Sequence, residues 1–235
     1  MNAIGAHNQD FRTLSGLWPE IEGKRALDMG CGSGLYTREL AARGANVIGV
    51  DLDIEGLRRA RSQKGGDKCH WVCADVRYLP FRDDCYSMAV CVEVLTHIEN
   101  EERRKALAEV SRILQSQGAF YFSLHNRRRL SLASWLRLRR ASKVYHTPNL
   151  SVWPTTPNRA QSMLSDCRLR PHPRFYYANF HSRFTHNFYT NHPHWARLLI
   201  WCEDILSSLP LLRWLGITFI WTATKDIDRT EGTFR

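Results

Sequence analysis

The sequence lacks an uninterrupted hydrophobic run that could cross a bilayer, which requires roughly 20 consecutive apolar residues. Its longest apolar stretch, residues 195–221, is broken by two arginines, two acidic residues and a proline. We therefore interpret this stretch as a buried helix followed by a strand. The first ten residues are polar and lack the basic and apolar regions of a secretory signal. These absences predict a cytoplasmic chain, with peripheral attachment to a membrane left open.

Two signatures of metal sites are also missing. There is no H-E-x-x-H or C-x-x-C pair, and His192-Pro193-His194 has a poor geometry for chelation. We expect no metal. The seven cysteines are odd in number, and Cys73 and Cys91 lie in strand-like runs. We interpret them as reduced thiols rather than as a disulfide framework.

Positive charge is what the sequence has in excess, with a formal net charge of +10 over 235 residues. This balance favours an acidic partner: nucleic acid, anionic lipid or a phosphorylated small molecule. The alternative is that the charge only maintains solubility. The length predicts a single domain, residues 1–235, with one sizeable core.

Short apolar runs alternate with helical patterns from residue 24 to residue 126. The apolar spacing predicts strands at 25–29, 45–50, 69–74, 86–92 and 118–124, and helices at 35–43, 54–62 and 101–115. This alternation indicates βαβ units with right-handed crossovers. We predict an α/β fold, a doubly wound and mostly parallel sheet with helices on both faces.

The second half of the chain has a different character. The pattern predicts a basic helix at 127–143, a loop with three prolines at 144–157, a helix at 158–166, a strand at 168–179, a helix at 195–207 and a final strand at 217–224. A late helix followed by a last strand is typical of a sheet that ends with an antiparallel strand.

A glycine-rich turn follows the first predicted strand and reads Asp28-Met29-Gly30-Cys31-Gly32-Ser33-Gly34. Glycines allow a sharp turn and a close approach of the backbone to a ligand. A dinucleotide fingerprint would read G-x-G-x-x-G and would place a pyrophosphate on the helix N-terminus. Here the glycines alternate and a carboxylate, Asp28, precedes them. That carboxylate would repel a pyrophosphate but suits a ligand that carries an ammonium group.

Two more acidic residues end the next two predicted strands. Asp51 ends the second strand, where a carboxylate can accept hydrogen bonds from both hydroxyls of a ribose. Asp75 and Val76 follow the third, where they could hold an adenine amino group and cover the ring. Together with the glycine turn, the two acids predict a nucleoside site.

Residues 24–126 resemble the class I S-adenosylmethionine (SAM)-dependent methyltransferases, in the branch of small-molecule and quinone methyltransferases. The resemblance is carried by the glycine turn, by Asp51, by Asp75-Val76, by the segment Glu93-Val94-Leu95-Thr96-His97-Ile98 after the fourth strand, and by the passage Arg112 to Ala119. That passage lacks the proline usual in the family. The resemblance implies SAM as the cofactor and a Rossmann-like, seven-stranded, mostly parallel sheet whose last strand is antiparallel.

The resemblance also implies a division of labour along the chain. Residues 24–126 would form the SAM-binding core, residues 127–157 a lid inserted after the fifth strand, and residues 158–235 the end of the sheet and the acceptor pocket. The expected cofactor-binding residues are Asp28, Gly30, Cys31, Gly32, Gly34, Asp51, Leu52, Asp75, Val76 and Glu93.

The catalytic group is harder to predict, because methyl transfer from a sulfonium can proceed by positioning alone. If a base takes part, the candidates are three histidines, His97, His125 and His181. His97 is common in the family as a helix-start residue. His125 ends the fifth strand at the cofactor edge, and His181 lies in an aromatic cluster that could wall an acceptor pocket.

The basic segment 127–143 has three interpretations: a solvated lid helix over the acceptor, a membrane-surface helix that gathers a lipid, or a phosphate-binding element. The motifs with which nucleic-acid base methyltransferases grip a base are absent, so a nucleic-acid acceptor is not expected. We expect a small-molecule acceptor. If the excess of positive charge helps to bind this acceptor, the acceptor is anionic. The alternatives are a lipid or quinone acceptor at a membrane and a SAM-binding regulator without transferase activity. Nothing in the sequence indicates the oligomeric state.

Overall fold

A computed structural model of the chain describes residues 11, 13–126, 145–146, 151–172, 176–178 and 218–227. The described strands are β1 (Arg25–Met29), β2 (Asn46–Asp51), β3 (His70–Cys73), β4 (Tyr86–Cys91), β5 (Leu114–His125), β6 (Tyr145–His146), β7 (Ser151–Val152), β8 (Leu169–Pro171), β9 (Tyr176–Ala178) and β10 (Thr218–Lys225). The described helices are α1 (Leu35–Ala42), α2 (Ile54–Ser62), α3 (Asn100–Ile113) and α4 (Pro157–Asp166). Two short 3₁₀ turns lie at Gly66–Lys68 and Leu95–His97.

Within these residues the main sheet has the strand order β3-β2-β1-β4-β5-β10, and both β8 and β9 pair with the far edge of β10. The first five strands are parallel, whereas β10 runs antiparallel to β5. The chain moves outward from β1 to β3 and then restarts at β4 beside β1. The carboxyl ends of β1 and β4 therefore form a topological switch point, where α/β sheets bind their ligands.

The central strands alternate their side chains between two buried clusters, one on each face of the sheet. In β4, Ala89 and Cys91 join one cluster and Met88 and Val90 join the other. Helices α3 and α4 cover the first face through residues such as Val110 and Met163, and α1 covers the second through Leu40 and its neighbours. Burial on both faces explains the nearly unbroken apolar character of β4.

Local signals account for several element ends. Helix α4 begins at Pro157, whose fixed φ and missing N–H suit the first helical position. The hydroxyl of Thr156 caps this helix by accepting from the N–H of Arg159. Helix α3 ends at Ile113 because Leu114 already has extended backbone and begins β5.

The structure confirms the predicted fold class, a Rossmann-like, mostly parallel sheet with helices on both faces and an antiparallel last strand. The predicted single strand 168–179 was wrong in detail, since two short strands, β8 and β9, share that edge of β10. Pro171 ends β8, and a proline cannot donate to a ladder. The predicted basic helix 127–143, the helix 195–207 and most of the lid segment lie outside the described residues, so the lid stays a prediction.

Candidate functional site

A cleft of about 770 Å³ opens at the carboxyl ends of β1 to β4, at the switch point of the sheet. Its described lining consists of Gly30, Cys31, Gly32, Ser33, Leu35, Tyr36, Asp51, Leu52, Ala74, Asp75, Val76, Arg77, Val92, Glu93, Val94, His97, Ile98, Glu99, Glu102 and Trp153. Eight of the ten residues that the sequence singled out as cofactor-binding are therefore in one place.

The glycine turn forms one wall of this cleft. The N–H groups of Gly30 and Cys31 both donate to the carbonyl of Val50, at 2.7 and 2.9 Å, which folds the turn onto β2. Gly30 has φ +70°, and a Cβ there would lie 2.1 Å from Cγ2 of Val94. Gly32 has φ +50° and faces open space. Gly30 thus permits the loop after β4 to pack against the turn, and Gly32 leaves backbone without a side chain exposed at the wall of the cleft.

Asp28 and Gly34, the other two predicted residues, do not line the cleft. Asp28 lies beneath the turn, only 2% exposed, where its carboxylate accepts a 2.5 Å hydrogen bond from Oγ1 of Thr37. Burial raises the pKa of Asp28 from 3.8 to about 6, although the hydrogen bond from Thr37 opposes the shift. Gly34 makes room for the ring of Trp71, which a Cβ would meet at 2.4 Å.

Asp51 connects the end of β2 to the glycine turn. Its Oδ2 accepts from the N–H of Gly32 at 2.8 Å, and its Oδ1 accepts from the N–H of Asp53 at 2.9 Å. A carboxylate has about four acceptor positions. The two backbone groups fix its orientation and leave one position on each oxygen.

Asp75 is held by Arg77, which sequence reasoning did not single out. The backbone N–H and side-chain Nε of Arg77 donate to Oδ1 at 2.9 and 3.0 Å, while Nη2 donates to Oδ2 at 2.6 Å. Nη1 of the same guanidinium donates to Glu102 at 2.9 Å. Hydrogen bonds from Arg77 outweigh burial and lower the pKa of Asp75. The carboxylate is therefore ionised and fixed in orientation.

The charge of the cleft is opposite to that of the chain. Its described lining contains five carboxylates, Asp51, Asp75, Glu93, Glu99 and Glu102, against one guanidinium and one imidazole, whereas the whole chain carries +10. A cleft with this lining attracts cationic ligands and repels phosphates.

Glu93 follows β4 in a left-handed conformation with φ +59°, which is strained for a residue with a side chain. Its N–H donates to Oγ of Ser123 at 2.8 Å, and that hydroxyl donates to Oε1 of Glu93 at 3.1 Å. Nε2 of His125 lies 2.8 Å from Oε2. Burial alone would raise the pKa of Glu93, but His125, Ser123 and the charge of His97 together lower it.

The three histidine candidates are placed differently. His97 lines the cleft, and its Nδ1 lies 3.0 Å from the carbonyl of Ser151. A carbonyl only accepts, so Nδ1 carries a hydrogen, and the neutral ring has its lone pair on Nε2. His125 is not among the described lining residues and reaches the cleft through Glu93. His181 lies outside the described residues.

Arg103 is a fully buried arginine behind this part of the cleft. It donates to the carbonyls of Leu95 at 2.8 Å, Ile98 at 3.0 Å and Trp153 at 2.8 Å. Burial lowers its pKa to about 10. Arg103 thereby ties the loop after β4 to the segment 151–155 and fixes the two cleft residues His97 and Trp153.

Trp153, Arg103 and Ser123 escaped the sequence analysis for the same reason. Each is recognisable only through a partner 30 or more positions away, and no local motif marks it. Arg77 could have been found, because an arginine two positions after a strand-end aspartate can fold back on it. Across the described ranges no group of three or more His, Cys, Asp or Glu side chains is placed to hold a metal ion. In those ranges no helix has the length and apolar character of a membrane span.

Residues 27–122 match the family of methyltransferase domains. A ubiquinone biosynthesis O-methyltransferase of Idiomarina loihiensis is 33% identical over 118 residues, which are 48% of this chain and 46% of the relative. Another protein of that name, from Cronobacter sakazakii, is 31% identical over 117 residues, 48% of this chain and 46% of the relative. The chain thus spans about half the length of the curated relatives it matches.

Solved structures resemble nearly the whole chain. A SAM-dependent methyltransferase of Methanosarcina mazei has a TM-score of 0.66 at 21% identity and covers 92% of this chain and 98% of its own. The 1,6-didemethyltoxoflavin-N1-methyltransferase of Burkholderia thailandensis, solved with its substrate and S-adenosylhomocysteine, has a TM-score of 0.60 at 15% identity and covers 93% and 76%. At these identities the likeness shows the fold alone.

Proposed function

We propose, from the match of residues 27–122 to the methyltransferase-domain family, that the chain transfers the methyl group of SAM to an oxygen, nitrogen or carbon nucleophile of a small molecule. The observation that carries the proposal is the acidic cleft at the switch point of an otherwise basic protein. SAM bears a sulfonium and an ammonium group, whereas a nicotinamide or flavin dinucleotide bears two phosphates that five carboxylates would repel.

The residues present fit the parts of this cofactor. Bare backbone at Gly30 and Gly32 would lie beside the methionine portion, with the buried carboxylate of Asp28 beneath the turn. Asp51 has one acceptor position open on each oxygen, the number that two ribose hydroxyls need. Asp75 would accept from the adenine amine, and Leu52 and Val76 would cover the ring. We call Asp51, Asp75 and Arg77 the nucleoside end of the cleft.

The opposite side, which we call the transfer end, consists of Glu93, His97 and Trp153. The bound cofactor supplies a methyl group on a good leaving group, so the protein must orient the acceptor, exclude water and accept a proton where the acceptor carries one. His97 is the best placed proton acceptor, because it lines the cleft and its hydrogen bond to Ser151 directs the lone pair to Nε2. His125 would act through Glu93, which it holds in place.

A phenolic oxygen of a quinone precursor is the acceptor that the relatives favour, since several are named ubiquinone biosynthesis O-methyltransferases. Their matches cover about half of this chain, and the family match covers residues 27–122, which include the nucleoside end, so the support is stronger for the donor than for the acceptor. A membrane-surface acceptor would depend on the segment 127–143. Liposome flotation tests this hypothesis. If the chain partitions equally after Arg137, Arg139 and Arg140 are replaced by Glu, the hypothesis of a membrane-surface acceptor is contradicted.

Isothermal titration calorimetry with SAM and S-adenosylhomocysteine tests the donor. We expect both to bind the purified chain and Asp51→Asn to weaken them roughly 10- to 100-fold, because hydrogen bonds to a charged group contribute about 1.5–3 kcal/mol. The exposed Asp67→Asn is the matched control and should bind normally. A chain that binds neither compound is not a SAM-dependent methyltransferase.

Turnover tests the transfer end. S-adenosylhomocysteine release is measured with a panel of catechols, quinols and amines. With an active acceptor, His97→Asn should lower kcat at least tenfold. A larger loss of kcat in His125→Asn than in His97→Asn would assign the proton transfer to His125 instead. No product with any acceptor, despite tight cofactor binding, would favour a SAM-binding regulator.

A further inference from the structure

A single neighbour, Arg77, uses most of the hydrogen-bonding capacity of Asp75. The position of Asp75 at a strand end does not by itself require this arrangement. The Arg77 backbone N–H donates to Oδ1, Nη2 donates to Oδ2, and the single N–H of Nε lies 3.0 Å from both oxygens. These three hydrogens take three of about four acceptor positions on the carboxylate, so one remains.

The group that makes this arrangement is itself anchored. Nη1 of Arg77 donates to Glu102 on α3, which also accepts from Lys105 at 2.7 Å. The following residues are pinned to the same helix, because the N–H of Leu79 donates to Glu109 and Arg112 donates to the carbonyl of Leu79 at 3.0 Å. The contact of Arg77 with Asp75, which we call the clamp, is therefore anchored on helix α3. Arg77 does not project freely from the surface.

From this geometry, and resting on the proposed function, we infer that Arg77 is a positioning residue for purine recognition: it fixes Asp75 as a single acceptor for an exocyclic amine and so makes the cleft select a 6-amino over a 6-oxo purine. Asp75, Arg77 and Glu102 all line the cleft, so the clamp faces the space where the base would lie.

The selectivity follows from what a fixed carboxylate can do. An ionised carboxylate only accepts hydrogen bonds, which an adenine amine can donate and a hypoxanthine oxygen cannot. A carboxylate that is free to rotate can turn its oxygens towards solvent and tolerate the 6-oxo group. A clamped one cannot retreat, so the 6-oxo group of a base bound in the same pose meets a second acceptor, and sites of this kind discriminate strongly.

The experiment compares the affinities of S-adenosylhomocysteine and S-inosylhomocysteine by calorimetry, with folding checked by circular dichroism. We expect the wild-type chain to prefer the adenosyl compound at least roughly tenfold. Arg77→Met should weaken the adenosyl compound roughly 5- to 30-fold and the inosyl compound less than about threefold, so that the preference collapses. Arg77→Lys keeps the charge without the fork and should recover only part of the preference.

Two further variants separate the clamp from general damage. Glu102→Gln leaves the contact between Arg77 and Asp75 and should retain most of the preference. Arg58→Met removes an exposed arginine of α2 that pairs with Glu55 and should change neither affinity. The inference is overturned if Arg77→Met weakens both ligands equally, so that the preference for the adenosyl compound survives. It is also overturned if Arg77→Met binds the adenosyl compound more tightly, which would mean that Arg77 competes with the base. If the wild type binds neither compound, the proposed function itself fails.

Discussion

At the nucleoside end of the cleft, Asp51 and Asp75 each follow the strand that delivers them and are held largely by groups within two positions, with Gly32 of the adjoining turn as the exception. At the transfer end, Glu93, His97 and Trp153 are held by partners 30, 54 and 50 positions away. One end is thus built from local turns and the other from the docking of distant segments.

This difference explains why the matched family region and the cleft do not coincide. The match covers residues 27–122, which contain the whole nucleoside end, whereas Ser151 and Trp153 lie beyond it. A sequence can therefore change the segment that walls the transfer end while the nucleoside end stays intact. Variants that act on both ends, on one end, or on the charge beneath the turn test whether the two ends of the cleft are independent.

The largest effect is expected for Gly30→Ala, because the glycine turn connects the two ends: Gly32 of the turn donates to Asp51, and Gly30 packs against Val94, next to Glu93. A Cβ would meet Val94 at 2.1 Å in a left-handed conformation, so strain and overpacking should together lower the free energy of unfolding by roughly 3–4 kcal/mol. Urea unfolding measures this, and calorimetry should show at least tenfold weaker binding of S-adenosylhomocysteine.

Gly23→Ala is the matched control for this substitution, since Gly23 has φ +69° with open space around its Cβ position. It should cost only about 1 kcal/mol. Adding Val94→Ala to Gly30→Ala should recover the overpacking part. If both alanine variants cost the same, the contact with Val94 does not join the two ends.

The next largest effect is expected for Arg103→Met, which should damage the transfer end alone. It leaves three carbonyls without their donor, at about 1 kcal/mol each, so the free energy of unfolding should fall by roughly 3 kcal/mol. Binding of S-adenosylhomocysteine should change less than about threefold. The neighbouring Arg104→Met, which removes a partly exposed pair with Asp166, should cost less than about 1 kcal/mol. A large loss of cofactor affinity in Arg103→Met would show that the ends are coupled.

The smallest effect is expected for Asp28→Asn, and its sign depends on pH. The folded-state pKa of Asp28 is about 6 against an ordinary 3.8, so its contribution to stability is present below pH 4 and is lost as the pH rises through 6. Relative to wild type, Asp28→Asn should gain up to roughly 2–3 kcal/mol between pH 4 and pH 8. Thermal unfolding across this range measures it.

Asp67→Asn, an exposed acid outside the cleft, controls for the loss of one charge and should show no such trend. If the Asn variant instead loses stability as the pH rises, Asp28 is stabilised as a carboxylate beneath the turn. We also expect weaker SAM binding by Asp28→Asn above pH 6, because the negative charge beneath the methionine position is gone.

Much of the sheet and most of the nucleoside end follow from local patterns. β1 was predicted at its observed bounds because its apolar residues stop at the glycine turn, and α4 was predicted to within one residue of its observed start. Asp51 and Asp75 were found because acids at strand ends must meet at one edge of a parallel sheet. The same logic placed Asp28 in the site, but the structure puts it under the turn, where the hydroxyl of Thr37 binds it.

Local patterns in the sequence account for the alternation of strands and helices and for the two acids of the nucleoside end, since each acid acts within a few positions of the strand end that presents it. The other contacts of the cleft depend on the tertiary structure. It turned Glu93 towards Ser123 and His125, brought Ser151 and Trp153 to the loop of His97 with the help of buried Arg103, and anchored Arg77 to Glu102 of α3. These are contacts between segments that the chain separates and the two packed faces of the sheet bring together, and no periodicity or short motif encodes such distances.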